Sequence, residues 1–256
     1  MSEITKELLI CLVGAHFVGD FYFQTKKDAE NKKHPLVLAK HVAIVTALSY
    51  LFCGAWQRWE IVAAIFVSHF LIDFTKVSLA RGKLYALLID QIVHMVVLIA
   101  IALALPRSGP VILFWKELLG EDYLKLLVIL SGMVISVKGG SVIISPAVRG
   151  FQQQLDQRRQ DLEPGAAGTI YLERRGFENG GRMIGQLERA LIFLFIIVGQ
   201  PVAIGFLIMA KSILRFGEIK DHDNRMEAEY IIIGTLLSFL YAILVAYAAR
   251  YMLGVV

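Results

Sequence analysis

The sequence predicts an all-α fold: a polytopic integral membrane helical bundle of about eight transmembrane helices, seven or eight. Three observations predict it. The 256-residue chain is 57% hydrophobic with a mean hydropathy of +0.62. Charged residues make up only 19%, against about a quarter in soluble domains. They cluster between apolar runs that approach the roughly 20 residues needed to cross a bilayer. No separate soluble domain is evident, and nucleic acid is not an expected partner.

The apolar runs place spans at roughly 4–24, 36–56, 59–76, 84–105, 124–147, 184–199, 201–216 and 228–252. The first lacks a basic start and a small-residue cleavage site, so it reads as a retained helix. Pro106 and Pro110 are expected to end the fourth span, because proline disfavours continuing a helix. The stretch 111–123, VILFWKELLGEDY, reads as a short interfacial helix. The sixth and seventh spans are short and joined by VGQPV around Pro201, as two spans or one broken hairpin. The chain thus divides into a four-helix half (1–105), an interfacial helix and fifth span (106–147), a loop (148–183) and C-terminal helices (184–256). Cys11 and Cys53 both lie in apolar runs, so no disulfide framework is expected.

Basic residues set the orientation. Of the 26, 17 fall in alternate loops and six on the opposite side; Lys40, Lys138 and Arg189 lie within spans. The positive-inside rule puts the 17 in the cytoplasm and both termini outside. Loop 148–183 is then cytoplasmic: a polar, helix-competent FQQQLDQRRQ, a breaking EPGAAG, and YLERRGFENGGRMIG. It reads as a solvated connector, or as the place where a second copy or a protein partner docks.

Polar residues inside the spans carry the chemistry. His16 and Asp20, His69 and Asp73, and Asp90 and His94 are spaced i,i+4 on three spans, and His41 lies early in a fourth. Residues at i,i+4 differ by about 40° around a helix and about 6 Å along it, so each pair shares a face. With spans alternating in direction, all seven fall in one slab roughly 5–15 Å below the cytoplasmic surface. An aspartate at a helix centre costs about 2.5–3.5 kcal/mol to insert, less near the interface. Three of them need an offset from pairing, water or a cation. Imidazoles and carboxylates together suit a divalent metal, Zn²⁺, Mn²⁺ or Fe²⁺ more than Ca²⁺. The expected ligands are His16, His41, His69, Asp73, Asp90 and His94, with Asp20, Asp73 and Asp90 as catalytic carboxylates. The plainer alternative is hydrogen-bonding glue between helices. His34 and His222 lie in loops and read as surface residues.

A second polar set occupies the C-terminal half: Glu188, Arg189, Lys211, Arg215 and Glu229, with Lys138 beside Gly139 and Gly140. Lys138, Arg189, Lys211 and Gln24 are the candidate substrate contacts, the three cations as phosphate binders. Gln24, Lys40, Lys76 and Gln91 are expected behind the ligands or at a head group. A Glu–Lys or Glu–Arg clamp between spans is the plainer reading of Glu188, Arg189 and Lys211.

The strings HFVGDFYFQTKKDAENK, KH, HFLIDFTK and DQIVH resemble an uncharacterised family of bacterial inner-membrane proteins, a domain of unknown function. GRMIGQLERALI, VGQPVAIGFLIMAKSILRFGEIKD and EYIIIGTLLSF are similar to the tail of its longer members. A looser likeness, in residue type and spacing only, is to membrane-bound metal-dependent hydrolases. The resemblance implies no substrate. The leading expectation is a metal-dependent hydrolase or transferase acting on a phosphoryl or ester group of a membrane lipid at the cytoplasmic leaflet. A proton- or ion-coupled transporter and a non-catalytic scaffold are the alternatives.

Overall fold

In the computed structural model the described residues are 1–79, 84–162, 180–216 and 225–254. Among them the regular structure is entirely helical. The elements are α1 (Glu3–Val18), continued by a π-helical turn at Gly19–Phe23, α2 (Lys26–Glu30), α3 (Pro35–Cys53), α4 (Glu60–Leu79) and α5 (Leu84–Ser108). Then come α6 (Phe114–Leu119), α7 (Glu121–Val134) with a second π turn at Ile135–Gly139, and α8 (Gly140–Leu162). α9 (Gly180–Ile197), α10 (Ala203–Phe216) and α11 (Arg225–Leu253) complete the order.

Among the described residues four helices are long and apolar enough to cross a membrane: Pro35–Cys53, Leu84–Ser108, Glu121–Arg158 and Met226–Leu253. The other expected spans form helices but fall short of that standard for physical reasons. α10 has 14 residues, a rise of about 21 Å against a hydrocarbon core of about 30 Å. α9 carries Arg182, Glu188 and Arg189 within its 18 residues, and α1 with its π turn carries Glu3, Lys6, Glu7 and Asp20.

The chain separates into two compact units, Met1–Ile135 with Tyr251–Val256, and Ser136–Arg250. The first unit thus reaches past residue 105. In it α1 packs against α3, α5 and α7, and α4 bridges α3 and α5. Leu8, Cys11, Leu12, Val45, Ile61, Ile65, Leu98 and Leu124 fill the space between them. Away from that apolar end the pattern inverts. On α4, Phe66, Val67, Leu71 and Phe74 are exposed while His69 and Asp73 are buried. Apolar outside and polar inside is the reverse of a soluble helix, and it suits a lipid surround.

Local signals place the helix ends. Pro35 opens α3, where its missing N–H costs nothing. Gly54 ends it at φ 58°, the left-handed conformation glycine adopts freely. α5 runs through Pro106 to Ser108 rather than ending before the proline. Arg58 accounts for where it stops. Its guanidinium, buried on the α3–α4 connection, donates to the carbonyls of Leu105, Gly109 and Pro110 and to Ser108 Oγ at 2.6–3.2 Å. Those are the acceptors a helix C-terminus leaves unpaired.

The second unit is organised by Arg189 on α9. Its Nε donates to the Ser136 carbonyl, Nη1 to Ser238 Oγ, and Nη2 to the Val137 carbonyl and Ser141 Oγ, all at 2.7–2.9 Å. Gly140 makes room: a Cβ there would stand 2.6 Å from Arg189 Nε. Lys211 on α10 reaches Glu188 on α9 at 2.7 Å, so α9 and α10 form a clamped hairpin around Val198–Val202. Of the 148–183 stretch, α8 carries 148–162 as helix, and 163–179 lie outside the described residues, as does His222.

Candidate metal centre

Three helix pairs and one single histidine converge in the first unit. His16 lies in the last turn of α1, and the π turn that follows carries Asp20. Gly19 makes that join close: a Cβ at Gly19 would meet Val45 Cγ2 at 2.7 Å. The near-contact of α1 and α3 brings Asp20 Oδ1 to 3.3 Å from His41 Nε2. A π turn widens the helix locally and re-aims its side chains, and such turns recur at functional sites. His69 and Asp73 share one face of α4, as Asp90 and His94 do on α5, with 3.6 and 3.7 Å between the paired groups.

The structure brings all seven predicted residues together and buries each of them, from Asp73 at 0% to Asp20 at 9% exposed. His41 Nε2 and His69 Nε2 stand 3.1 Å apart. Asp20 Oδ1 is 3.3 and 3.5 Å from those two nitrogens, and Asp73 Oδ2 is 3.4 and 3.6 Å from them. Four donor atoms held at about 2.0–2.2 Å around a tetrahedral ion stand about 3.3–3.6 Å from one another. Five of the six spacings among these atoms are thus 3.1–3.6 Å, near those of such a shell. The rings of His69 and His94 approach to 4.3 Å, and those of His16 and His94 to 4.8 Å.

The carboxylates share a pattern. Each has Oδ2 satisfied by an N–H donor. Lys32 reaches Asp73 at 2.7 Å, Lys76 reaches Asp90 at 2.6 Å, and the Gln91 amide reaches Asp20 at 3.0 Å and Asp90 at 3.3 Å. Each has Oδ1 buried without a hydrogen bond, as are His16 Nδ1 and His94 Nε2. Buried polar atoms left this way cost about 1–3 kcal/mol each, more when charged. Five in one cluster are enough to need a partner such as water or an ion.

Two of these contacts were not evident from the sequence. Lys32 was counted among the topology-setting loop lysines, yet it is buried while Lys33 beside it is exposed. The turn Asn31–His34 is tight, with His34 N–H donating to the Asn31 carbonyl, and it aims Lys32 inward. Arg58 gave no signal beyond its charge. Lys76 and Gln91 stand behind the ligands as expected. Lys40 points elsewhere, to Asp28 at 3.2 Å on the surface. The Thr25 hydroxyl and the Lys40 ammonium hold the Asp28 carboxyl below its usual range. Gln24 is half-buried with its Nε2 unpaired.

The remaining predicted contacts belong to the second unit. Arg189 is engaged by four acceptors and Lys211 by Glu188, as described above. Lys138 sits half-buried in the second π turn.

Residues 8–117 match a family described as a protein of unknown function, DUF3307. The DUF3307 segment contains all seven His and Asp residues together with Lys32, Lys76 and Gln91. Lys138, Arg189 and Lys211 lie outside it. The cluster is therefore complete within the matched segment. No curated protein and no solved structure matches the chain.

Proposed function

We propose that the protein is a membrane-embedded, metal-dependent hydrolase or transferase acting on a phosphoryl or ester group of a lipid at the cytoplasmic leaflet of a bacterial inner membrane. The observation that carries the metal reading is the convergence of Asp20 Oδ1, His41 Nε2, His69 Nε2 and Asp73 Oδ2 at 3.1–3.6 Å. A divalent ion there supplies a bound water acidic enough to act as a nucleophile near neutral pH, and polarises the oxygen it touches. Zn²⁺, Mn²⁺ and Fe²⁺ fit the mixed nitrogen and oxygen donors. Lys32 and Lys76 orient the carboxylates of Asp73 and Asp90. Gln91 ties Asp20, Asp90 and His16 into one network.

In this reading the eight expected spans cross or enter the bilayer, with the 17 loop cations inside. The cluster then opens toward the cytoplasmic side, and a charged head group reaches it from there. The test is phosphate release from phosphatidic acid, and ester cleavage of a phospholipid, in detergent micelles with purified protein. Turnover that needs added metal and disappears in His41→Gln supports the reading. Turnover that persists undiminished after chelation contradicts it.

A transporter is the second reading, favoured by one observation. Lys76, Asp90, Gln91, Asp20, His41, His69, Asp73 and Lys32 form an unbroken series of polar contacts. Its Lys76 end is 26% exposed and its centre is sealed. Such series carry protons in membrane proteins. Proton flux in metal-free proteoliposomes, lost in Asp90→Asn, favours this reading over the enzyme.

A further inference from the structure

We infer that the centre holds two divalent ions bridged by Asp73, and that its substrate is anionic; this rests on the metal reading above. One four-coordinate ion uses Asp20, His41, His69 and Asp73. It leaves Asp90 Oδ1 and His94 Nε2 buried with no hydrogen bond, and also the second oxygen of Asp73 itself. Asp73, Asp90 and His94 offer donor atoms within 4.8 Å of one another, as Asp20, His41 and His69 do, and as His16, His69 and His94 do, the last sharing His69 and His94 with the other two. The two sets meet at Asp73, which has Oδ2 among the nitrogens of His41 and His69 and Oδ1 unpaired.

A carboxylate has about four lone-pair positions. Asp73 can therefore keep its bond from Lys32 and still serve one ion through each oxygen. The first set is closed, with four protein donors, as in structural sites. The second has three, which leaves a position for water or substrate, as catalytic sites require. His16 stays outside both sets. It stacks on His94 and bonds Gln91, so its role is to position.

Charge gives the substrate class. Three carboxylates against the Lys32 and Lys76 ammonium groups leave one net negative charge in a buried volume. Two divalent ions turn that to three positive charges. An excess of that size in a low-dielectric site demands an anion, and a phosphoryl group bound between two metals is the chemistry that paired sites serve.

The experiment counts ions. Full-length protein in detergent is stripped with chelator and titrated with Mn²⁺, with free Mn²⁺ read by electron paramagnetic resonance. Glu121→Gln is titrated in parallel as a control, because Glu3, Glu7 and Glu121 form a separate acidic group in the first unit, already bridged by Lys116, and a count that falls in this variant would place an ion there. The expected result is two ions per chain in both proteins, with a spin-coupled signal, falling to one in Asp90→Asn and in His94→Gln. Inorganic phosphate should tighten binding of the second ion and leave the first unchanged. A single ion in the unaltered chain overturns the pair and leaves the metal reading standing. No bound ion overturns both. Two ions that survive Asp90→Asn and His94→Gln overturn the assignment of the second set.

Discussion

His41 Nε2 lies 3.1 Å from His69 Nε2, across the interface of two helices and with a carboxylate oxygen on either side. Two imidazole nitrogens at that distance either share one proton or both turn lone pairs toward a common cation. The proposed metal takes the second course, with the flanking oxygens of Asp20 and Asp73 as its further donors.

Gln91 is the neighbour that holds this arrangement from behind. Its amide donates to Asp20 and Asp90, and its oxygen meets His16 Nε2 at 3.3 Å. Groups that orient metal ligands typically change affinity by about 10–100-fold when removed. Gln91→Leu should weaken metal binding by about that factor and leave the number of ions unchanged, as measured by competition with a chelating indicator.

Lys32→Met breaks a buried pair and leaves Asp73 without its ammonium. Loss of one partner of such a pair costs about 3–5 kcal/mol. The metal-free variant should unfold at a markedly lower temperature in detergent than the unaltered protein. Added Zn²⁺ should narrow the gap, because the ion takes over part of the charge. Equal melting temperatures without metal would show that Asp73 does not depend on Lys32.

Gly19→Ala tests the close approach of α1 and α3. The new methyl meets Val45 Cγ2 at 2.7 Å, so the helices must separate or Val45 must shift. Metal affinity should fall about tenfold or more while helix content, read by circular dichroism, stays constant. Combining it with Val45→Ala removes the obstructing methyl and should recover most of the affinity. Failure of the double variant to recover would mean that Gly19 acts through something other than space.

Arg189→Lys separates the two polar sets. Lysine cannot reproduce the planar donor fork, so several buried acceptors lose their partners, at about 1–3 kcal/mol each. Thermal stability should drop while the metal content of the DUF3307 segment holds. Coincident loss of metal in a folded Arg189→Lys protein would tie the two sets together.

The His/Asp pairs were legible from spacing alone, since i,i+4 positions share a helix face whatever surrounds them. His41 was legible from depth. Lys32 was not, because a lysine three residues before a helix looks the same whether its turn faces water or a carboxylate 41 positions away. The run of α5 through Pro106 was hidden for a like reason: Arg58, from a different connection, supplies the donors at its end. The π turn at Gly19 leaves no periodic signal over five residues. Helix existence followed from apolar runs, but α9 carries too many charges for composition alone to count it as a span.

The central claim is that this buried cluster holds a divalent metal, and elemental analysis tests it most directly. The chain should be purified in detergent without a metal-binding tag and measured both as isolated and after incubation with Zn²⁺ or Mn²⁺ followed by dialysis. The account predicts at least about one transition-metal ion per chain, largely lost in a folded His41→Gln, His69→Gln double variant. A content below about a tenth of an ion per chain under both conditions, or an equal content in the double variant, would contradict it.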